Sequence, residues 1–243
     1  MRDRMRATTE RLAESDAEDS RPATPSLPPD LAREGVRRLR VVGGVSLVAH
    51  AFFLTVSRLV GDPAVPRSAA SISLGAAITG MVVAVLVMRL AYSNRIGSRT
   101  ILDLALVYWV LDALFISLSS HVSPLTMERA PQGWSGVAVW VVAFPLVIPN
   151  TRGKVILATF VAAAMDPLGL LIQVSAGLPA PDPRALVASF APTVLAVPIA
   201  IVMSGIIFRI SVEAMRARDL GSYRLVEPLG SGGMGEVWRA RHR

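Results

Sequence analysis

Cysteine is absent from this chain of 243 residues, and histidine occurs three times. Without cysteine there is no disulfide, no thiolate nucleophile and no Cys-based metal site. His50, His121 and His242 are too scattered along the chain to suggest a zinc site. Charged residues are sparse at 18%, aromatic residues make up 6%, and the one lysine is Lys154. The first 38 residues are polar and charged and show no signal-peptide pattern. The net charge of +7 could suit a nucleic-acid binder. The basic residues are instead spread along the chain, mostly at the ends of apolar runs, where cationic side chains meet lipid head groups.

What the chain has in excess is apolar sequence: 52% of residues are hydrophobic and the mean hydropathy is +0.51. Six runs stand out, Val41–Val60, Ala69–Ala91, Ile101–Ser120, Trp134–Ile148, Val155–Val174 and Ala185–Phe208. Crossing a hydrocarbon core of about 30 Å takes about 20 helical residues. Five of the runs reach that length. No water in lipid satisfies a loose amide or carbonyl, so each run is expected to be a helix. The expected fold is an all-α membrane protein, a six-transmembrane-helix bundle over residues 39–210. A connector helix over 211–222 and a short β-hairpin over 223–243 follow it. The fourth run is the shortest, with Pro145 inside it and Pro149 after it. Without it five spans would remain, with the termini on opposite sides.

Counting basic residues at the helix ends sets an orientation. Fourteen lie on the side of the N-terminus, including Arg33, Arg37, Arg38, Arg40, Arg99, Arg152 and Lys154. Four lie on the other side, Arg58, Arg67, Arg129 and Arg184. The positive-inside rule then puts both termini in the cytoplasm of a cell inner (plasma) membrane, as an even number of spans requires. Residues 1–38 form a cytoplasmic arm with Pro22, Pro25, Pro28 and Pro29, expected to be disordered to about Pro29. A short amphipathic helix follows, with Asp30 as its N-cap. Arg33, Arg37, Arg38 and Arg40 serve either as a topology signal or as a site for anionic lipids.

Three polar residues fall near mid-depth: His50, Asp112 and Asp166. Asp166 precedes Pro167, which removes a helix hydrogen bond. Carboxyl groups at the bilayer centre are costly and usually face the bundle interior. The three residues form either a shared site for a proton, cation or polar ligand, or hydrogen-bonded groups that fix helix packing. Asp103 lies nearer the cytoplasmic end of its run. Ser71, Gly75, Ala76 and Gly80 read as a close-packing surface. Pro192 and Pro198 are expected to bend the last helix. Beyond Phe208 no breaker occurs until Gly221, so that helix should leave the membrane by about three turns. Ile210, Val212, Ala214 and Met215 on it offer a weak seam for a homodimer.

The most specific motif closes the chain. Tyr223–Leu229 can form a strand, Gly230-Ser231-Gly232-Gly233-Met234-Gly235 a loop, and Glu236–Arg241 a second strand. Gly230, Gly232, Gly235 and Val237 give the spacing G-x-G-x-x-G-x-V. A turn without side chains can lie over a nucleotide's phosphates and point N–H groups at them. Dinucleotide-binding folds share the glycines but open a helix from them. Here a strand-like Val-Trp-Arg segment follows. The stretch Leu229 to Ala240, with Glu236 and Trp238, closely resembles the first hairpin of bacterial eukaryotic-like serine/threonine protein kinases. Tyr223 and Leu225 match that family's opening Tyr-x-Leu.

The resemblance implies ATP binding by Leu229 through Val237, with Mg2+ and protein substrates engaged by a longer parent. The family's third-strand lysine, its partner glutamate, the catalytic-loop aspartate and the metal-binding aspartate have no counterpart here. The expectation is therefore a truncated transmembrane kinase, inactive as given, whose bundle anchors or senses within the lipid bilayer. A small transporter or channel with a coincidental tail is the alternative, with His50, Asp112 and Asp166 as its site. A plain anchor without a sensing role is the third.

Overall fold

The computed structural model describes residues 27, 29–59, 65–93, 95–122, 135–179, 181–221, 223–232 and 235–242. It is mostly helical, with one small sheet. The helices are α1 (Pro29–Leu59), α2 (Arg67–Tyr92), α3 (Ser98–Ser120), α4 (Gly136–Val147), α5 (Arg152–Ser175) and α6 (Pro183–Gly221). Each contains one of the six apolar runs or most of it. Five are long and apolar enough to cross a membrane; α4, with 12 residues, is the short one. The large apolar side chains that face outward, such as Val48, Phe52, Leu86, Leu171, Val194 and Leu195, are distributed over α1, α2, α5 and α6. A bundle with so much apolar surface turned out is one suited to lipid.

α3 is the helix around which the others gather: it packs against α1, α2, α4 and α5, while α6 packs on α4 and α5. Its Tyr108, Trp109, Asp112 and Ala113 are all buried. Trp109 is stacked on Phe144 of α4, ring centroids 5.1 Å apart. The two indoles of Trp109 and Trp140 also exchange hydrogen bonds. Trp109 Nε1 donates to the Trp140 carbonyl at 3.3 Å, and Trp140 Nε1 to the Trp109 carbonyl at 3.1 Å. Polar ends of aromatic side chains thus find partners inside the bundle. On α2 the buried stripe is Ala69, Ser73, Ala76, Ala77, Gly80, Ala84 and Ala91. Of the four residues expected to pack closely, Ala76 and Gly80 do. Ser71 and Gly75 instead face outward, and an added Cβ at Gly75 would meet nothing within 4 Å.

One end of the bundle is tied by basic residues. Arg40 Nε donates to the Ala91 carbonyl at 3.0 Å and its guanidinium lies over the Tyr92 ring, which caps α2 with a cation. Arg99 donates to the Leu27 carbonyl at 3.0 Å. Lys154 pairs with Asp103 at 2.7 Å, with both side chains half exposed. Asn150 donates to the Leu102 carbonyl at 3.3 Å.

The helix expected from Asp30 is longer than a short arm helix. α1 begins at Pro29, with Asp30 inside its first turn and not as its N-cap, and is unbroken to Leu59, so residues 29–38 belong to the first helix of the bundle. Leu31, Ala32, Gly35, Val36 and Leu39 recur at helical spacing and are buried in the core with Ile101, Leu102 and Ile148. Gly35 lies so close that a Cβ would meet Leu102 and Pro149 at 3.1 Å. On the outer face Arg33 pairs with Asp30, and Arg37 and Arg38 with Glu34. These three arginines already have carboxylate partners on their own helix.

α6 continues to Gly221 with Pro192 and Pro198 inside it. Of the residues proposed as a dimer seam, Val212 packs against the core, Ile210 is 58% exposed, and Met215 has no described side chain. Beyond it, β1 (Tyr223–Gly232) and β2 (Gly235–His242) pair antiparallel. The pairing runs past the expected strand ends: Gly230 faces Val237, Ser231 faces Glu236 and Gly232 faces Gly235. Four residues of the expected six-residue loop, Gly230, Ser231, Gly232 and Gly235, therefore belong to the strands. Register shifts occur at Leu225/Glu227 and at Pro228/Gly230, where proline cannot donate to the ladder. Arg239 pairs across the hairpin with Glu227 at 2.8 Å.

Trp109→Ala should destabilise the bundle by about 3–5 kcal/mol, through the cavity and the lost stacking. Phe52→Ala, on the 60% exposed outer face, should change stability by no more than about 0.5 kcal/mol. Unfolding of both variants in mixed detergent micelles, followed by tryptophan-independent circular dichroism, checks the contrast.

Candidate functional site

The three mid-depth residues do not make one site; they divide into two. The first lies between α1 and α3. His50 is 6% exposed and Asp112 0%. Their facing atoms, His50 Nε2 and Asp112 Oδ1, are 3.6 Å apart. Ser46 lies one turn before His50, and its hydroxyl donates to Asp112 Oδ2 at 2.8 Å. The His50 Nδ1–H donates to the Ser46 carbonyl at 3.0 Å. Tyr108 stands one turn before Asp112, beside Asp112 and Ser46.

α2 makes room for this group. A Cβ on Gly80 would sit 2.4 Å from His50 Nε2, so only glycine admits the imidazole there. Three buried polar atoms of the cluster have no hydrogen-bond partner: His50 Nε2, Asp112 Oδ1 and the Tyr108 hydroxyl.

The second site lies where α3, α4, α5 and α6 converge. Asp166 of α5 is 3% exposed. Its Oδ1 accepts from His121 Nε2 at 3.0 Å. Its Oδ2 accepts from Thr193 of α6 at 2.5 Å and, more distantly, from Ser135 at 3.5 Å. Ser135 is the N-cap of α4 and accepts from the Ala138 N–H. Its hydroxyl is 3.0 Å from that of Thr193. A directed chain results, from the α4 amide through Ser135 and Thr193 to the carboxylate. The N-terminal end of α4 is thereby turned toward the Asp166 carboxyl group. Ser117 also donates to the Asp166 carbonyl at 2.8 Å, and Gly169 is needed there, since a Cβ would come within 2.2 Å of its hydroxyl.

His121 was set aside in the sequence as one of three scattered histidines, yet it is the partner of Asp166. It lies just past the last residue of α3, as its C-cap, nine positions after Asp112. That is about 13 Å along a helix, so the two clusters are separate layers of one bundle. The signal that could have paired them was that the C-terminal ends of runs three and five share one end of an antiparallel bundle. Among the described residues no group of three or more His, Cys, Asp or Glu could hold a metal ion.

Of the hairpin residues expected to bind ATP, Gly233 and Met234 lie outside the described residues. Gly230, Ser231 and Gly232 belong to β1, and Gly235, Glu236 and Val237 to β2. Leu229 and Val237 are 56% and 64% exposed, and a Cβ on Gly230 would meet nothing within 4 Å. All three positions are open.

Gly80→Ala should displace the His50 ring and cost about 1–3 kcal/mol, as should Gly169→Ala at Ser117. Gly75→Ala, in open space, should be neutral or slightly stabilising through helix propensity. Thermal unfolding of the three variants in one detergent reads the difference. No protein-family model matches the chain, and neither a curated protein nor a solved structure matches it significantly.

Proposed function

We propose that this chain is the membrane anchor and phosphate-binding hairpin of a transmembrane serine/threonine protein kinase. The observation that carries the proposal is the hairpin: two antiparallel strands joined at Gly232 and Gly235, with Gly230 facing Val237 across the ladder. Gly230, Gly232 and Gly235 therefore lie in two paired strands and not at the start of a helix, the context a kinase loop requires. The backbone N–H groups from Gly230 to Gly235 would lie over the phosphates of ATP. The base would rest on Leu229 and Val237, both exposed on the hairpin. ATP would supply the phosphoryl group, and Mg2+ would neutralise its charge. The residues that hold the metal and deprotonate a protein substrate are not among these 243.

In this proposal the bundle crosses the plasma membrane six times. Support comes from the ends of α4. Asn150, beyond its C-terminus, is tied to Leu102 near the start of α3, whereas Ser135, at its N-terminus, meets Thr193 and Asp166. A 12-residue helix rises about 18 Å, which with its flanking residues suffices for a thin crossing. Arg40, Arg99 and Lys154 cluster at one end of the bundle, and the C-terminal part of α6, through Phe208 and Val212, packs on the core that also contains Leu27. In this reading both termini would lie toward the basic end, which the positive-inside rule assigns to the cytoplasm. Homodimer formation would use the exposed apolar faces of the membrane helices, Ile210 among them.

A small proton-linked transporter is the second reading, favoured by the two buried His–Asp pairs. Two measurements separate these. A green fluorescent protein fused after Arg243 should fluoresce, and alkaline phosphatase fused there should be inactive; the reverse would place the hairpin where no ATP is available. The reading frame after codon 243 should continue into a Val-Ala-x-Lys-like strand. A frame with no such strand would remove the kinase assignment.

A further inference from the structure

The pairing at His50 sets two buried acceptor atoms against each other. The Ser46 carbonyl can only accept, so the hydrogen bond at 3.0 Å places a proton on His50 Nδ1. In the neutral ring Nε2 is then a bare lone pair. It faces Asp112 Oδ1 at 3.6 Å, and an ionised carboxylate oxygen is also an acceptor only. Asp112 Oδ2 is already engaged by the Ser46 hydroxyl at 2.8 Å. Two acceptors that face each other inside a bundle repel unless something stands between them. A proton is the smallest group that turns the contact into a hydrogen bond, as imidazolium with carboxylate or as carboxylic acid with imidazole. Either form leaves the pair with no net charge, which is the state that a membrane interior tolerates.

We infer that His50 and Asp112 form an intramembrane proton-binding site between α1 and α3, with Tyr108 and Ser46 as its polar wall. The site stands independently of the kinase proposal. Its surroundings leave the pair to set its own charge. On α1 the near polar neighbour is Ser46. α2 presents Gly80 to the ring and carries its titratable residues, Arg67, Arg89 and Tyr92, at its two ends. α3 supplies Tyr108, whose hydroxyl is buried and unpartnered, and α4 has no titratable residue. On α5, Asp166 is held by His121 and Thr193 in the other layer, and Lys154 pairs with Asp103 at the basic end. Gly80 keeps α2 close enough to shut the ring in, so the proton is isolated from the lipid.

The test uses the full chain in phosphatidylcholine nanodiscs and infrared difference spectra between about pH 5 and pH 9, a range that spans ordinary imidazole titration. The expected result is a coupled change: imidazole bands of His50 and carboxyl bands of Asp112 move together, with one proton exchanged per chain. His121→Asn and His242→Asn remove the other two histidines and should leave the change in place. Asp112→Asn should abolish it completely, and Asp112→Glu should restore a coupled change at a displaced pH. Circular dichroism establishes that each variant is folded, and the wild-type spectrum decides the matter even where a variant is not. A pair that stays protonated throughout would support the inference. Bands that keep the form of a carboxylate beside a neutral imidazole across the whole range in folded wild type would overturn it. So would a response driven by sodium at constant pH, which would make the occupant a metal cation.

Discussion

Inside a bilayer an apolar side chain gains nothing by turning inward, because lipid is as apolar as the protein core. What distinguishes the inside of this bundle is therefore close packing and the satisfaction of polar groups, and both concentrate on α3. Tyr108, Trp109, Asp112 and Ser117 lie on it, all buried. Three of them reach different neighbours: Asp112 meets α1, Trp109 meets α4, and Ser117 meets α5. The lipid-facing helices need no such features, and α6 shows the contrast. Among the described residues, the side-chain hydrogen bonds that join α6 to other helices run through Thr193. The rest of its hold on the bundle is apolar packing against α4 and α5.

Close approach is the second half of the same constraint. The glycines that matter are few, and each faces a polar or bulky group on a neighbouring helix. Gly80 faces the His50 ring, Gly169 faces Ser117, and Gly43 faces the Met88 side chain. In water such positions would lower helix stability through chain entropy. In lipid they let backbones approach, so that short side chains reach partners across the interface. The stripe of alanine, serine and glycine on α2 serves the same end along the whole length of that helix.

The helices were legible because hydrophobicity marks them directly: each of the six runs became a helix, with ends displaced by a few residues for α2 to α5. α1 departs most. An amphipathic helix from Asp30 was legible, but not that it runs unbroken into the first apolar run and packs Leu31, Ala32, Gly35, Val36 and Leu39 on the bundle end, because Arg33, Glu34, Arg37 and Arg38 set it apart from that run. Asp112 and Asp166 were legible as costly residues, and Asp166 as one beside a proline. Their partners were not. His121 lies just beyond the last turn of α3 and Ser135 just before the first turn of α4, positions that an apolar-run search excludes. The pairing of His50 with Asp112 depends on helix rotation, which sequence period alone leaves open. In the hairpin the strand alternation was visible, whereas the pairing of Gly230 and Gly232 into the ladder was not, since glycine has no side chain to alternate.

The two His–Asp pairs use the same residue types and differ in what surrounds them. At Asp166 every carboxylate oxygen has a donor: His121 on one and Thr193 on the other. The N-terminal end of α4 is turned toward the carboxyl group. His121 can hold its proton on Nε2 as a neutral ring, and nothing further is required. Phe190 closes the edge of that ring at 5.7 Å. At Asp112 one oxygen has the Ser46 hydroxyl and the other faces a nitrogen whose own proton is committed elsewhere. No helix terminus or cation stands by to compensate. A buried acceptor without a donor costs about 1–3 kcal/mol, more when charged, so two such atoms aimed at each other are not a neutral way to pack a helix pair. The first pair is complete as a structural joint, with its proton count closed by the protein alone. The second is complete only with one more proton, and that difference, read from donors and acceptors, separates a packing contact from a binding site.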